Sequence, residues 1–316
     1  MTNRPGTPLS DLYPFASHYC DLDGLRMHYV DEGRGDPIVC VHGNPTWSFY
    51  YRDIIRAFRD THRVIAPDHI GCGLSDKPPA SRYPYDLARR ADDLEHLLDG
   101  LGLTENVTLV VHDWGGMIGC RVACRRPERI ARLVILNTAA FLLPAEKKLP
   151  LRLAIIRNTP LGAPLVRGLN AFAWGATRMA VVKPLPRAVR AGYLLPYNSW
   201  HNRVATLRFV QDIPLRPHDP SYTAAQWTDE HLHRLKEIPK LICWGARDFV
   251  FDDAFLSEWR RRFPEARVQR FDDAGHYVLE DAGDRVITMM RGFLSTSPAG
   301  STEATASSST ATEARP

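Results

Sequence analysis

Two hydrophobic periods alternate along the chain, and their alternation outlines a fold. Residues 18–21 and 25–30 read as two strands joined at Asp23-Gly24, a dipeptide suited to a tight hairpin turn. Residues 37–41 form a short, unbroken apolar run, of the kind a parallel sheet buries on both faces. The pattern then predicts a helix over 48–58, a strand over 63–66 and a helix over 85–101. The last of these places Leu87, Ala91, Leu94, Leu97 and Leu98 on one face. A strand over 107–111, a helix over 115–126 and a strand over 130–136 follow. Strands alternating with helices predict a mostly parallel sheet covered on both sides.

The alternation stops at residue 140. Residues 140–222 carry many prolines, several aromatics and no clear strand, which predicts a helical insertion. The sheet resumes over 240–244, followed by a helix over 254–263, a strand over 267–271 and a closing helix over 285–294. The expected architecture is α/β, an eight-stranded, mostly parallel sheet with an inserted helical cap domain. Its core comes in two parts, 1–139 and 223–295, around a cap at 140–222. The Ser/Thr/Ala-rich segment 296–316 is expected to be disordered. There are no internal repeats.

Composition narrows the class. The 316 residues, 44% hydrophobic and 24% charged, suit a globular protein large enough to need no metal or disulfide staple. The six cysteines show no CxxC pairing. Cys40 and Cys243 lie in strand-like runs, and Cys120 and Cys124 are one helical turn apart. Buried, reduced thiols are the simplest reading, and they point to a reducing compartment. Residues 1–15 contain three prolines and no apolar core, unlike a signal peptide. No apolar run approaches the roughly 20 residues that span a bilayer. A cytoplasmic enzyme is expected.

The net charge of +4 hides an asymmetry. Between Phe141 and Tyr222 there are twelve Lys and Arg against Glu146, Asp212 and Asp219, so this segment carries +9 and the rest −5. No nucleic-acid-binding motif accompanies that charge, which leaves an acidic partner protein or an anionic membrane surface as the expected contact of the cap.

The chemistry concentrates in three places. Val107-Thr-Leu-Val-Val-His-Asp-Trp-Gly-Gly116 is a strand meeting a helix at a sharp, glycine-lined turn. That is the arrangement of the nucleophile elbow of the α/β-hydrolase fold, which normally presents serine within G-x-S-x-G. Here Asp113 takes the nucleophile position and Val111 replaces the first glycine. A carboxylate can displace a leaving group at an sp³ carbon, forming an alkyl ester, or add to a strained carbonyl, forming an anhydride. Either adduct is normally cleared by a histidine-activated water. His276, in Asp272-Asp-Ala-Gly-His-Tyr277 after the final strand, is the expected base. Asp248, in Trp244-Gly-Ala-Arg-Asp248, is the expected acid, with Asp252 and Asp253 as alternatives. The order nucleophile, acid, histidine is that of the fold. The third place is His42-Gly-Asn-Pro-Thr-Trp47, a loop that supplies an oxyanion-hole N–H in this fold. The side chains of Asn44 and Trp114 add donors where negative charge would develop, and indole can only donate. His42, His69 and His112 read as structural, and no metal-ligand spacing is present.

His42-Gly-Asn-Pro-Thr-Trp-Ser-Phe-Tyr-Tyr-Arg52 and His112-Asp-Trp-Gly-Gly116 resemble the haloalkane dehalogenases and their relatives. In that family a carboxylate attacks while Asn and Trp hold the halide, roles that the resemblance assigns to Asp113, Asn44 and Trp114. One dehalogenase subfamily takes its acid from the end of the strand before the insertion. The corresponding Leu136-Asn137-Thr138 has no carboxylate here, which favours Asp248. A closer resemblance, to the OleB-type β-lactone decarboxylases of bacterial long-chain olefin biosynthesis, runs over about residues 12–294. It rests on Asp68-His-Ile-Gly-Cys-Gly-Leu-Ser-Asp-Lys-Pro78, Leu136-Asn-Thr-Ala-Ala-Phe141, Asn170-Ala-Phe-Ala-Trp-Gly-Ala-Thr177 and Leu241-Ile-Cys-Trp-Gly-Ala-Arg-Asp-Phe-Val-Phe-Asp252. It implies a long-chain cis-3,4-dialkyl β-lactone (an oxetan-2-one) as substrate, a cis-alkene and CO₂ as products, and no cofactor. It also implies association with the β-lactone synthetase and reductase of the same pathway. Two hydrolytic alternatives share the nucleophile. One is a haloalkane dehalogenase. The other is an epoxide hydrolase, which would need a cap tyrosine such as Tyr193, Tyr197 or Tyr222. A non-catalytic binding protein on this fold is disfavoured by the complete nucleophile, base and acid.

Overall fold

In the computed structural model, which describes residues 8–144 and 146–295, eight strands form one sheet in the order β1-β2-β4-β3-β5-β6-β7-β8. The strands are β1 His18–Leu22, β2 Leu25–Glu32, β3 Pro37–Val41, β4 Arg63–Pro67, β5 Val107–Asp113, β6 Ile130–Thr138, β7 Lys240–Gly245 and β8 Arg267–Phe271. β2 pairs antiparallel with both β1 and β4, and every other pairing is parallel. The hairpin turns where expected, with positive φ at Asp23 and Gly24. The segment 296–316, expected to be disordered, lies outside the described residues.

The central strands are mostly apolar because each buries both of its faces. Val39 and Val41 of β3, Leu109 and Val111 of β5, and Leu133 and Ile135 of β6 join one hydrophobic layer. Their neighbours Ile38, Cys40, Val110, Val134 and Leu136 join the other. This is the two-residue period of a strand packed on both sides. The first layer is completed by α3 Leu87–Gly100, α4 Trp114–Arg125, α9 Tyr222–His231 and α10 Asp253–Arg262. The second is completed by α2 Arg52–Phe58 and α11 Val278–Leu294. All six cysteines are free thiols and five are buried. Among the described residues no helix is long and apolar enough to cross a membrane.

Between β6 and β7 the chain runs through α5 Leu151–Asn158, α6 Ala171–Met179, α7 Arg187–Leu194 and α8 Val204–Gln211, then α9. The loop after β3 ties these helices to the sheet. Trp47 Nε1 donates to the Gly192 carbonyl at 3.2 Å, Tyr197 Oη to the Thr46 carbonyl at 3.3 Å, and Asn44 Nδ2 to the Thr206 carbonyl at 3.1 Å. Four elements depart from the expected pattern, among them α9, where no helix was expected. A short α1, Pro8–Leu12, precedes the hairpin, and residues 48–51 form a 3₁₀ turn before α2. The closing helix begins at Val278 and bends at Ala282 (φ −137°, ψ 22°). Its first turn hides from periodicity because Glu280 and Asp281 face inward. Glu280 pairs with Arg52, and Asp281 accepts from the backbone N–H groups of Val182, Lys183 and Gly275.

Glycine is needed where β5 turns into α4. A Cβ on Gly116 would lie 1.9 Å from Thr138 Oγ1, and one on Gly115 would lie 2.0 Å from the Val41 carbonyl oxygen. Gly292, near the end of α11, has nothing within 4 Å of its Cβ position. Gly116→Ala is therefore expected to lower the melting temperature. Gly292→Ala is expected to stabilise by about 0.5–1 kcal/mol through the unfolded chain. Thermal melts of the two variants check the contrast, and equal effects would show that the elbow tolerates a side chain.

Candidate active site

Asp113 ends β5 with φ 52° and ψ −127°, a conformation non-glycine residues rarely hold. The turn lifts its carboxylate clear of the sheet edge and into contact with the loop after β3. The Asn44 backbone N–H donates to Asp113 Oδ1 at 2.5 Å, and the Trp114 backbone N–H donates to the same carboxylate. Gly43 makes this approach feasible, since a Cβ there would lie 2.0 Å from Asp113 Oδ1. With Oδ1 held, Oδ2 is the oxygen facing His276, whose Nε2 lies 3.6 Å away.

His276 reaches the site from the loop between β8 and α11, and its Nδ1 lies 2.7 Å from Asp248 Oδ2. Asp248 is itself fixed. Its Oδ1 accepts from the backbone N–H groups of Val250 and Phe251 at 2.7 and 3.1 Å, and its Oδ2 accepts from Asn137 Nδ2 at 3.0 Å. The alternative acids are engaged elsewhere. Asp252 caps α10 and pairs with Lys147, and Asp253 pairs with Arg270. His42 and His69 bond each other's backbone, and His112 Nε2 meets the His276 carbonyl at 2.8 Å. Among the described residues no group of three or more His, Cys, Asp or Glu could hold a metal ion.

Burial pushes the Asp113 carboxyl above the usual carboxylate range, against the opposing pull of His276 and of the two backbone N–H groups. Burial alone would lower the His276 pKa, but Asp248 beside it, and Asp113 beyond, hold it above the usual imidazole value. The buried His42, His69 and His112 are all lowered, mainly by desolvation, which fits neutral structural groups.

Above Asp113 lies a cavity of about 810 Å³, within the range of small-molecule sites. Asn44, Asp113, Trp114 and His276 form its floor, and its walls are mostly apolar side chains of α5, α6, α8 and the loop after β7. The indole N–H of Trp114 has no acceptor among the described residues. Asn44 uses one amide hydrogen on Thr206, which leaves the other for a ligand. Tyr193, Tyr197 and Tyr222 do not line the cavity, and the first two bond Glu280 and the Thr46 carbonyl. No cap tyrosine of that set is placed to protonate an epoxide.

Sequence reasoning missed two supports. Asn137 was noted only for lacking a carboxylate, yet its amide spans Gly245 and Asp248 and braces the acid from the neighbouring strand. Its polar side chain at the end of an apolar strand was the available signal. Thr206 contributes a backbone carbonyl, which no side-chain pattern reveals.

A family model described as the alpha/beta hydrolase fold matches residues 36–283. The cis-3-alkyl-4-alkyloxetan-2-one decarboxylase of Shewanella oneidensis is 56% identical over 287 residues, covering 90% of each chain. The protein of the same name from Xanthomonas campestris pv. campestris is 45% identical over 294 residues, covering 90% of this chain and 98% of its own. Haloalkane dehalogenase DatA from Agrobacterium tumefaciens matches with a TM-score of 0.79 at 26% identity, covering 90% of this chain and 98% of its own. The chain belongs to the α/β-hydrolase fold family and, within it, to the group formed by these oxetanone decarboxylases.

Two predictions follow from the geometry. A carboxylate attacks only when ionised, so if Asp113 is the nucleophile its raised pKa places the loss of activity above the ordinary value of about 3.9. kcat/KM should fall as pH decreases through a point above that value. A profile flat down to about pH 4 would exclude Asp113 as the titrating group. Asn137→Ala should loosen Asp248, shift the His276 titration seen by NMR downward, and lower sustained turnover by roughly tenfold, about the worth of one hydrogen bond to a charged group. An unmoved titration would mean that the amide only fills space.

Proposed function

We propose that this enzyme converts cis-3,4-dialkyl β-lactones to cis-alkenes and CO₂, with Asp113 as nucleophile and no cofactor. Asn44 and Trp114 receive the departing oxygen, and His276 and Asp248 serve as base and acid. The observation that carries the reading is a buried carboxylate at the elbow beneath a large apolar cavity, in a chain 56% identical to a decarboxylase acting on such a ring.

The chemistry balances without water. Asp113 Oδ2 attacks the ring carbon bearing the alkyl oxygen, the C–O bond breaks, and its electrons leave on the new carboxylate. Inversion places the Asp113 ester anti to that carboxylate while the two alkyl groups stay on one side. The C–C bond to the carboxylate then breaks, its electrons form the alkene, and the C–O bond to Asp113 breaks as CO₂ departs. No bond rotation intervenes, so the alkene is cis. His276, held by Asp248, balances protons and activates water to rescue a stalled ester. Attack at the lactone carbonyl would instead give an anhydride, and its hydrolysis yields a β-hydroxy acid. In this reading the helices of 140–222 form the cap that shapes the alkyl cavity, with core segments 1–139 and 223–295. A lactone synthetase and a reductase acting in sequence upstream are the natural protein partners, and the cytoplasm is the natural location.

The test is direct. Incubation with a synthetic cis-β-lactone should give cis-alkene by gas chromatography, and Asp113→Ala should abolish it with the fold intact. Halide release from haloalkanes without alkene formation would favour a dehalogenase. After many turnovers in H₂¹⁸O, the Asp113 peptide should carry little label, because Asp113 leaves with its own oxygens. Heavy labelling during productive turnover would place an acyl intermediate on the main path and overturn the ring-carbon route.

A further inference from the structure

The cavity opens onto a rim that mixes positive charge with exposed apolar surface. Lys148 and Arg152, both exposed, line the cavity together with Leu151 (75% exposed), Met179 (43%) and Phe249 (47%). All five therefore sit where one apolar chamber meets solvent. The Arg152 guanidinium meets Met179 Sδ, which brings these two side chains of α5 and α6 together on that rim. Farther along α6, Trp174 is half exposed, with the Arg178 guanidinium 3.4 Å from its ring centroid. An apolar rim of this kind in plain water is costly unless something covers it.

We infer that this rim docks on an anionic lipid bilayer, so that the cavity exchanges lactone and alkene with the hydrocarbon without their crossing water. The inference rests on the proposed dialkyl lactone substrate for its purpose, but not for its evidence. Charge complementarity favours the occupant: Lys148 and Arg152 stand exposed on the rim, within a segment (141–222) of net charge +9, while Lys147 beside them is paired with Asp252; long cationic side chains place their heads among acidic headgroups while their stems cover apolar surface. Exposed Leu, Phe and Met beside them supply the apolar insertion, and Trp is the side chain most at home at a membrane interface. A protein partner would need a complementary apolar groove and fixed acidic positions. A bilayer meets the same rim with neither, and it dissolves both the substrate and the product. Among the described residues no helix is long and apolar enough to cross a membrane, so the docking proposed here is that of the rim alone.

The experiment is sedimentation of the full chain, without lactone, on phosphatidylglycerol–phosphatidylcholine vesicles and on pure phosphatidylcholine vesicles, at low and high salt. Binding is expected on the anionic vesicles and is expected to weaken at high salt, because exposed charges are screened. The double variant Lys148→Glu, Arg152→Glu should weaken it at least about tenfold. Leu151→Asp, at a site 75% exposed, should weaken it with an unchanged melting temperature. The following outcomes would overturn the proposal: no vesicle binding, equal binding to neutral vesicles, binding untouched by these variants, or retention on immobilised polyglutamate without vesicle binding. Because no lactone is present, failure of the decarboxylase reading would leave this result standing, and the reverse also holds.

Discussion

Everything in the site hangs on one backbone conformation, the positive φ of Asp113. Such a residue costs of order 1–3 kcal/mol and persists only where its surroundings over-determine it. Here the surroundings do so by leaving out atoms. Gly43, Gly115 and Gly116 each lack a Cβ that would collide with Asp113 Oδ1, the Val41 carbonyl or Thr138 Oγ1. The Thr138 hydroxyl adds a bond to the Asp113 carbonyl. The strain is absorbed by three neighbouring segments, and in return one carboxylate oxygen is fixed while the other faces an apolar chamber.

The electrostatics follow from that placement. A lone carboxylate in an apolar site would take up a proton, yet three groups favour its ionised form: the Asn44 and Trp114 backbone N–H groups and His276. His276 is in turn kept basic by Asp248, whose oxygens are held by two backbone N–H groups and the Asn137 amide. The two acids thus differ in their bonding. Asp248 is locked in place by four bonds, and Asp113 has Oδ1 held by the Asn44 N–H while its Oδ2 faces His276 at 3.6 Å.

Much of this was legible in the sequence, for identifiable reasons. Strands buried on both faces carry runs of apolar residues, so β3 and the middles of β5, β6 and β7 stand out. The elbow does as well, because Asp113 interrupts such a run just before two glycines. The legible part ends where polar groups are buried or where the backbone does the work. Glu280 and Asp281 broke the pattern at the start of α11 by turning inward to Arg52 and to backbone N–H groups. α9 carries weak periodicity, and only Ala225 and Thr228 of it are deeply buried. The rim was beyond sequence reasoning, since Leu151 and Phe249 are ordinary apolar residues until the fold exposes them.

The bond from Asn44 to the Thr206 carbonyl has a consequence for how the enzyme opens. Asn44 contributes its backbone to the nucleophile and its side chain to α8, while Trp47 and Tyr197 stitch the same loop to α7 and its C-terminal end. A hinged lid that swung away would have to break these three bonds and pull on the loop that holds Asp113. Whatever loosens α7 or α8 thus also loosens the loop that grips the Asp113 carboxylate.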